Sequence, residues 1–185
     1  VSRFFCPDLC VQDMEVASGA LTLSPEESHH AVKVLRLAEG SKVELINGNG
    51  RVVQGVIEHA DPRHTLVGIR GSGPGPDARP GIHIAVAPPK NINRLEWFLE
   101  KATEIGIATV IPMQCARSER LRLNTERLER VIIAALKQSK RSWKPELLPP
   151  TPFQEELRQH PDGHRYLAWL GEASKPLKQL ARPGQ

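Results

Sequence analysis

The chain has 185 residues with 25 Lys+Arg against 21 Asp+Glu, 39% hydrophobic and 25% charged, which describes an ordinary globular protein of one large domain or two small ones. No apolar run reaches the roughly 18 residues needed to span a bilayer, and no signal-peptide core is visible, so no membrane partner is expected. Three cysteines, Cys6, Cys10 and Cys115, cannot all pair, which fits a reducing cytoplasm; Cys6 and Cys10 lack a second Cys/His pair at matching spacing, so no metal is expected. Aromatics at 4% count against a base-stacking sheet of the kind that reads single-stranded RNA.

In chain order, residues 1–70 read mainly as short strands. Ser24-Pro25-Glu26-Glu27 marks a helix start, with a cap serine, a proline in the first turn and a glutamate placed to complete a capping box. The spacing then predicts Ala31, Val34 and Leu35 as the buried stripe, with His29, Lys33 and Arg36 on another face. Lys42–Asn47 and Arg51–Ile57 flank Asn47-Gly48-Asn49-Gly50, a hairpin-turn signal, and Thr65–Ile69 is a further β-branched run. A small β-barrel carrying one helix is the expectation.

Gly71–Gly81, with four Gly and three Pro in eleven residues, reads as a linker that can hold neither helix nor central strand. Beyond it, Ile82–Ala87 predicts a strand, Asn91–Ile105 a helix (Ile92, Leu95, Phe98/Leu99, Ala102, Ile105) closed by Gly106, and Ala108–Pro112 a second strand. Asn124 caps a second helix with Leu128, Val131, Ile132, Ala135 and Leu136 inward, and Tyr166–Leu170 is expected as a third strand. Strand and helix alternating in this way predict a parallel sheet with crossover helices, so the fold class is mixed α/β. Three strands are few for a parallel sheet, which favours reading the 185 residues as part of a longer chain.

Charge is distributed unevenly. Residues 1–80 hold 8 basic and 10 acidic residues, residues 81–185 hold 17 and 11, and Arg117–Lys144 alone holds nine basic against three acidic. Such a run is often just a solvated face, but nine neighbouring cations repel one another and favour a polyanion such as RNA or DNA. Arg117, Arg120 and Arg122 fall on a loop after the second strand, and Gln138, Lys140, Arg141 and Lys144 follow the second helix. Arginine forks suit phosphate oxygens and glutamine can read a base edge, while Trp143 suits either stacking or packing. Arg94, Trp97, Lys101 and Glu104 line one polar stripe on the first α/β helix, as a solvated face or as a cleft edge. No nucleophile triad, Walker loop or dinucleotide fingerprint is present.

Several stretches together resemble one family. Arg3-Phe4-Phe5 with Pro7-Asp8, then Ser28-His29-His30-Ala31-Val32-Lys33-Val34-Leu35-Arg36, are similar to the opening of the bacterial 16S rRNA (uracil-N3)-methyltransferases. Pro89-Lys90, Arg94-Leu95-Glu96 and Glu100-Lys101-Ala102-Thr103-Glu104-Ile105-Gly106 resemble the family's helix block; Arg117-Ser118-Glu119-Arg120 and Lys137-Gln138-Ser139 with Arg141 and Pro145 resemble two later blocks. The resemblance implies a PUA-like RNA-binding barrel (1–70), the linker (71–81), and the N-terminal part of a SPOUT-type methyltransferase domain (82–185) that forms a knot in the complete family fold. It also implies S-adenosylmethionine as cofactor, 16S rRNA in the 30S subunit rather than DNA as partner, a homodimer, and methylation of uridine N3. On that basis Arg3, His30, Arg36, Arg117, Arg120, Gln138 and Arg141 are candidates for RNA contact, and Arg94, Lys101 and Glu104 for the cleft. The family's cofactor-binding motifs are expected beyond Gln185, so no residue here is assigned to the cofactor and no general base is named. The competing readings are a non-catalytic RNA-binding module and a doubly wound metabolic enzyme; the latter would need a glycine-rich strand-to-helix turn that is not found.

Overall fold

Alternating inward and outward side chains build the first half as a five-stranded sheet ordered β1-β3-β4-β5-β2, in a computed structural model that describes residues 1–7, 9, 19–116, 118, 122–159, 164–168, 171, 172 and 174–181. Its strands are β1 (Ser2–Phe5), β2 (Ala20–Thr22), β3 (Lys42–Ile46), β4 (Arg51–His59) and β5 (Leu66–Pro74). All neighbours pair antiparallel except β1 and β3, which are parallel. Phe4, Val43, Leu45, Val53, Ile57, Val67 and Ile69 from four strands meet Leu9, Leu23 and Ala31 in one core, around which the sheet curls. The predicted hairpin is β3–β4. The segment expected as a linker is shorter than its composition suggested: Gly71–Pro74 continue β5, pairing with Gln54–Arg51. This stretch of β5 tolerates glycine because β4 supplies its hydrogen bonds and little side-chain packing is required there.

The helix between β2 and β3 departs from expectation in two ways. Ser24 caps α1 (Pro25–His29) by accepting the Glu27 N–H, but Glu27 does not reach back to complete a capping box. It turns inward instead, accepting the Phe5 N–H at 3.2 Å and the Lys137 ammonium at 2.8 Å. The next turn widens: Leu35 N–H reaches the His30 carbonyl five residues back, making His30–Val34 a π-turn. That extra residue rotates the apolar pattern, so Val34 (59% exposed) and Leu35 (40% exposed) face solvent, and Glu27, Ser28 and Ala31 take the buried side.

In the second half β6 (His83–Val86), β7 (Thr109–Gln114), β8 (Glu146–Leu147) and β9 (Thr151–Pro152) are all parallel, with β7 central and β8 and β9 paired along its other edge. The third sheet position is therefore Glu146–Pro152 and not Tyr166–Leu170; Tyr166–Ala168 are exposed and belong to no strand, while Trp169 and Leu170 lie outside the described residues. Proline hid this strand from the sequence reading, because Pro145, Pro149, Pro150 and Pro152 signal loop, yet an edge strand accommodates residues without an N–H.

Helices α2 (Ile92–Ile105) and α3 (Thr125–Ser139) are the crossovers. Asn91 and Asn124 cap them by accepting the N–H of Asn93 and Arg127, and Gly106 ends α2 in the left-handed conformation at φ 92°. Leu95, Leu99 and Ala102 of α2 and Leu128 and Ile132 of α3 form the second core with Val110 and Ile107. Ile107 takes the inward place expected of Ile105, which is 66% exposed where the helix closes. Two short helices follow, α4 (Phe153–Gln159) and α5 (Leu177–Leu180).

Candidate RNA interface

Three surfaces collect the candidate residues. On the curled sheet's side, His29, Lys33 and Arg36 point outward around the π-turn, beside exposed Val34 and Leu35. Arg36 holds a positive φ of 53°, a conformation that an L side chain adopts at a cost of about 1 kcal/mol. Lys33 and Arg36 have no ion-pair partner among the described residues. His30 is half-buried and packs its ring edge-on against Phe4, at 6.5 Å between centroids.

Along the carboxyl ends of the parallel strands lie Pro88–Lys90, the turn in which Ser118 N–H bonds Cys115 O and Cys115 N–H bonds Ser118 Oγ, and exposed Arg122. Open α/β sheets take ligands at this edge. Arg117 and Arg120 lie outside the described residues. On α2, Arg94 is exposed with no partner among the described residues and Trp97 is 63% exposed, whereas Lys101 is tied to Glu100 at 2.8 Å and Glu104 at 3.0 Å. Those hydrogen bonds, first to Glu100 and then to Glu104, hold the ammonium above its ordinary range, so Lys101 stays charged.

The third surface follows α3. Gln138 and Lys140 are exposed with no side-chain partner among the described residues. Arg141 points inward: Nε donates to Glu104 O at 3.0 Å, a terminal nitrogen to Ile105 O, and a third nitrogen stands 3.8 Å from Asp77. Arg3 is also internal, with a 6% exposed side chain bonded to Glu44 at 2.7 Å and to the Arg141 carbonyl at 3.1 Å. The geometry thus places Arg36, Arg94 and Gln138 toward solvent and commits Arg3 and Arg141 to contacts within the chain. Both arginines are legible as basic residues, but their side-chain partners, Glu44 for Arg3 and the Glu104 and Ile105 carbonyls for Arg141, lie 41, 37 and 36 positions away, which no local pattern reveals.

Two open grooves of about 570 and 540 Å3 flank the 74–80 segment. One is lined by Arg79, His83, Thr109, Trp143, Lys144 and Glu146, the other by Arg3, Glu44, Gln54, Ser72 and Lys140. Both sit where the two halves meet; the first is at the amino ends of β6, β7 and β8, opposite the ligand edge of the sheet. The contribution of Asp77 was missed from sequence; its signal was one carboxylate in a Gly/Pro-rich segment otherwise bearing only Arg79 as a charge.

The model of the family described as "RNA methyltransferase domain" matches residues 77–185, and that of the "RNA methyltransferase PUA domain" matches residues 23–69. The chain belongs to the RNA methyltransferase family. Among members of this family, a ribosomal RNA small subunit methyltransferase E from Bacillus subtilis is 28% identical over 183 residues, 95% of this chain and 70% of that protein. Among solved structures, a probable rRNA-methyltransferase from Porphyromonas gingivalis is 35% identical with a TM-score of 0.74, over 87% of this chain and 65% of its own. The Neisseria gonorrhoeae ribosomal RNA small subunit methyltransferase E, bound to S-adenosyl methionine, shares the fold at a TM-score of 0.74 and 20% identity, over 86% of this chain and 65% of its own. The chain thus spans about two thirds of the length of these structures. Their fold agrees with the expected RNA methyltransferase architecture, a curled sheet followed by a parallel α/β sheet.

Proposed function

We propose that the protein carrying this chain methylates N3 of a uridine in 16S rRNA, using S-adenosylmethionine and acting on the 30S subunit. The observation that carries this reading is the pairing, in one chain, of an RNA methyltransferase PUA domain and an RNA methyltransferase domain, each exposing cations or polar groups that have no partner among the described residues. Uridine N3 is occupied in a duplex, so the target base must be unpaired or extruded and must lose its N3 proton before transfer. The sulfonium cofactor, when bound, supplies an electrophilic methyl group. Among the described residues at the carboxyl edge of the strands there is neither a buried unpaired polar atom nor a glycine that would cradle such a group. They do not by themselves fit it.

What this chain's own residues do is hold RNA. Arg36, with His29 and Lys33, faces phosphates from the first half and Arg94 and Gln138 face them from the α/β half; Arg117 and Arg120, which lie outside the described residues, are assigned to the RNA from the sequence alone. A subunit pairing into a homodimer would cover two exposed apolar side chains of α2, Trp97 and Ile105. No helix among the described residues is long and apolar enough to cross a membrane, and we place the protein in the cytoplasm with its ribosomal substrate.

Salt dependence tests the RNA reading. Binding to small-subunit rRNA should weaken by one to three orders of magnitude, roughly, from 50 to 200 mM salt, because each cation–phosphate contact releases counterions. Affinity independent of salt would refute the cationic interface. Binding without methyl transfer by the complete protein would favour the non-catalytic RNA-binding module.

A further inference from the structure

We infer that Arg141–Lys144 is a clasp fixing the barrel against the α/β half, with Arg141 and Asp77 as its positioning residues. The chain leaves α3 through Lys140, which turns sharply at a positive φ of 57° and lays the next four residues along the Asn47–Gly50 turn. There Gly50 N–H donates to Ser142 O at 2.9 Å, Lys144 N–H donates to Gly48 O at 2.8 Å, and Asn49 bridges Trp143 antiparallel. The two glycines do more than turn the hairpin. A Cβ on Gly50 would fall 2.2 Å from the Trp143 ring and one on Gly48 would fall 2.6 Å from the Lys144 Cβ.

The segment after β5 closes over the other side. Gly75 N–H bonds Gly50 O at 2.8 Å, and a Cβ there would strike the Ser142 side chain. Asp77 accepts the Ser142 N–H at 3.0 Å and its hydroxyl, its carbonyl takes the Trp143 indole N–H at 3.3 Å, and Arg79 lies over the Trp143 ring. Arg141 then ties this knot of contacts to the end of α2 through Glu104 O and Ile105 O, and to β1 through Arg3. Beside it, Lys137 and Glu27 join α3 to α1. Two units joined only by a Gly/Pro-rich segment would move relative to one another; these contacts remove that freedom. On the RNA reading above, a fixed frame lets the barrel surface and the strand-edge surface engage one RNA at a set spacing.

Amide residual dipolar couplings of the 185-residue chain test the clasp without any ligand. Couplings from β3–β5 and from α2 and α3 should fit one alignment tensor. In the Arg141→Ala, Asp77→Ala double variant each unit should still fit its own tensor, which shows that both are folded, but the two degrees of order should differ by about twofold or more. Asp77→Asn, which keeps the acceptor for Ser142, should retain the common tensor. A common tensor in the double variant overturns the proposal. Affinity for a small-subunit rRNA helix should fall about tenfold in the double variant, although in this structure both side chains are spent on contacts within the chain. Failure of the parent chain to bind that RNA would count against the RNA reading, whereas the couplings alone judge the clasp.

Discussion

Glu27 shows how one side chain can serve three elements. Its carboxylate is buried at the junction of β1, α1 and α3, and one oxygen takes both the Phe5 N–H and the Lys137 ammonium. Lys137→Ala should therefore cost about 3 kcal/mol in denaturant unfolding, because it strands a buried charge; a loss below 0.5 kcal/mol, roughly the size of an exposed pair, would show that Glu27 is solvated. Arg36 poses the opposite case, since its backbone is strained and its side chain has no ion-pair partner among the described residues. Arg36→Gly should stabilise the fold by about 1 kcal/mol while weakening RNA binding. Loss of stability would contradict the strain at Arg36, and unchanged affinity would remove it from the interface. The sequence marked both residues, Glu27 as a cap and Arg36 as a cation. It could not show that a partner 110 positions away redirects Glu27.

At the scale of elements, local signals were most legible where turn chemistry and periodicity agree. The β3–β4 hairpin, the asparagine caps of α2 and α3, and the Gly106 terminus all follow from residues within a few positions of one another. The misreadings also have physical causes. A π-turn rotates the helical pattern by one residue and sends Val34 and Leu35 outward; prolines disguise the edge strand at Glu146–Pro152; β4 recruits Gly71–Pro74 into its ladder. The crossover helices depend on a shared seam, in which Leu99 and Ile132 are fully buried and Arg127 bonds Glu96 at 3.0 Å. Leu99→Ala should cost about 2–5 kcal/mol by chemical denaturation. A cost under about 1 kcal/mol would mean that the seam repacks and is not the core of this half.

For the molecule as a whole, net charge alone suggested little, yet the basic stretch from Arg117 to Lys144 divides into two kinds of cation once folded. Arg141 and Lys144 are drawn into the junction, the latter bonded to Glu129 at 2.7 Å, while Lys140 and Arg122 stay exposed. A linear charge count cannot make that division, because it depends on Asp77, Glu104 and Glu129 being brought to the same place. The proposal that emerges is of an RNA methyltransferase family chain whose curled sheet and α/β half are held in one frame to meet rRNA. Its most direct test is transfer of an isotope-labelled methyl group from S-adenosylmethionine to unmodified 30S particles by the complete protein, followed by nucleoside analysis of the 16S rRNA. The account predicts label in 3-methyluridine at a single position; label in another nucleoside, or none in the RNA, would contradict it.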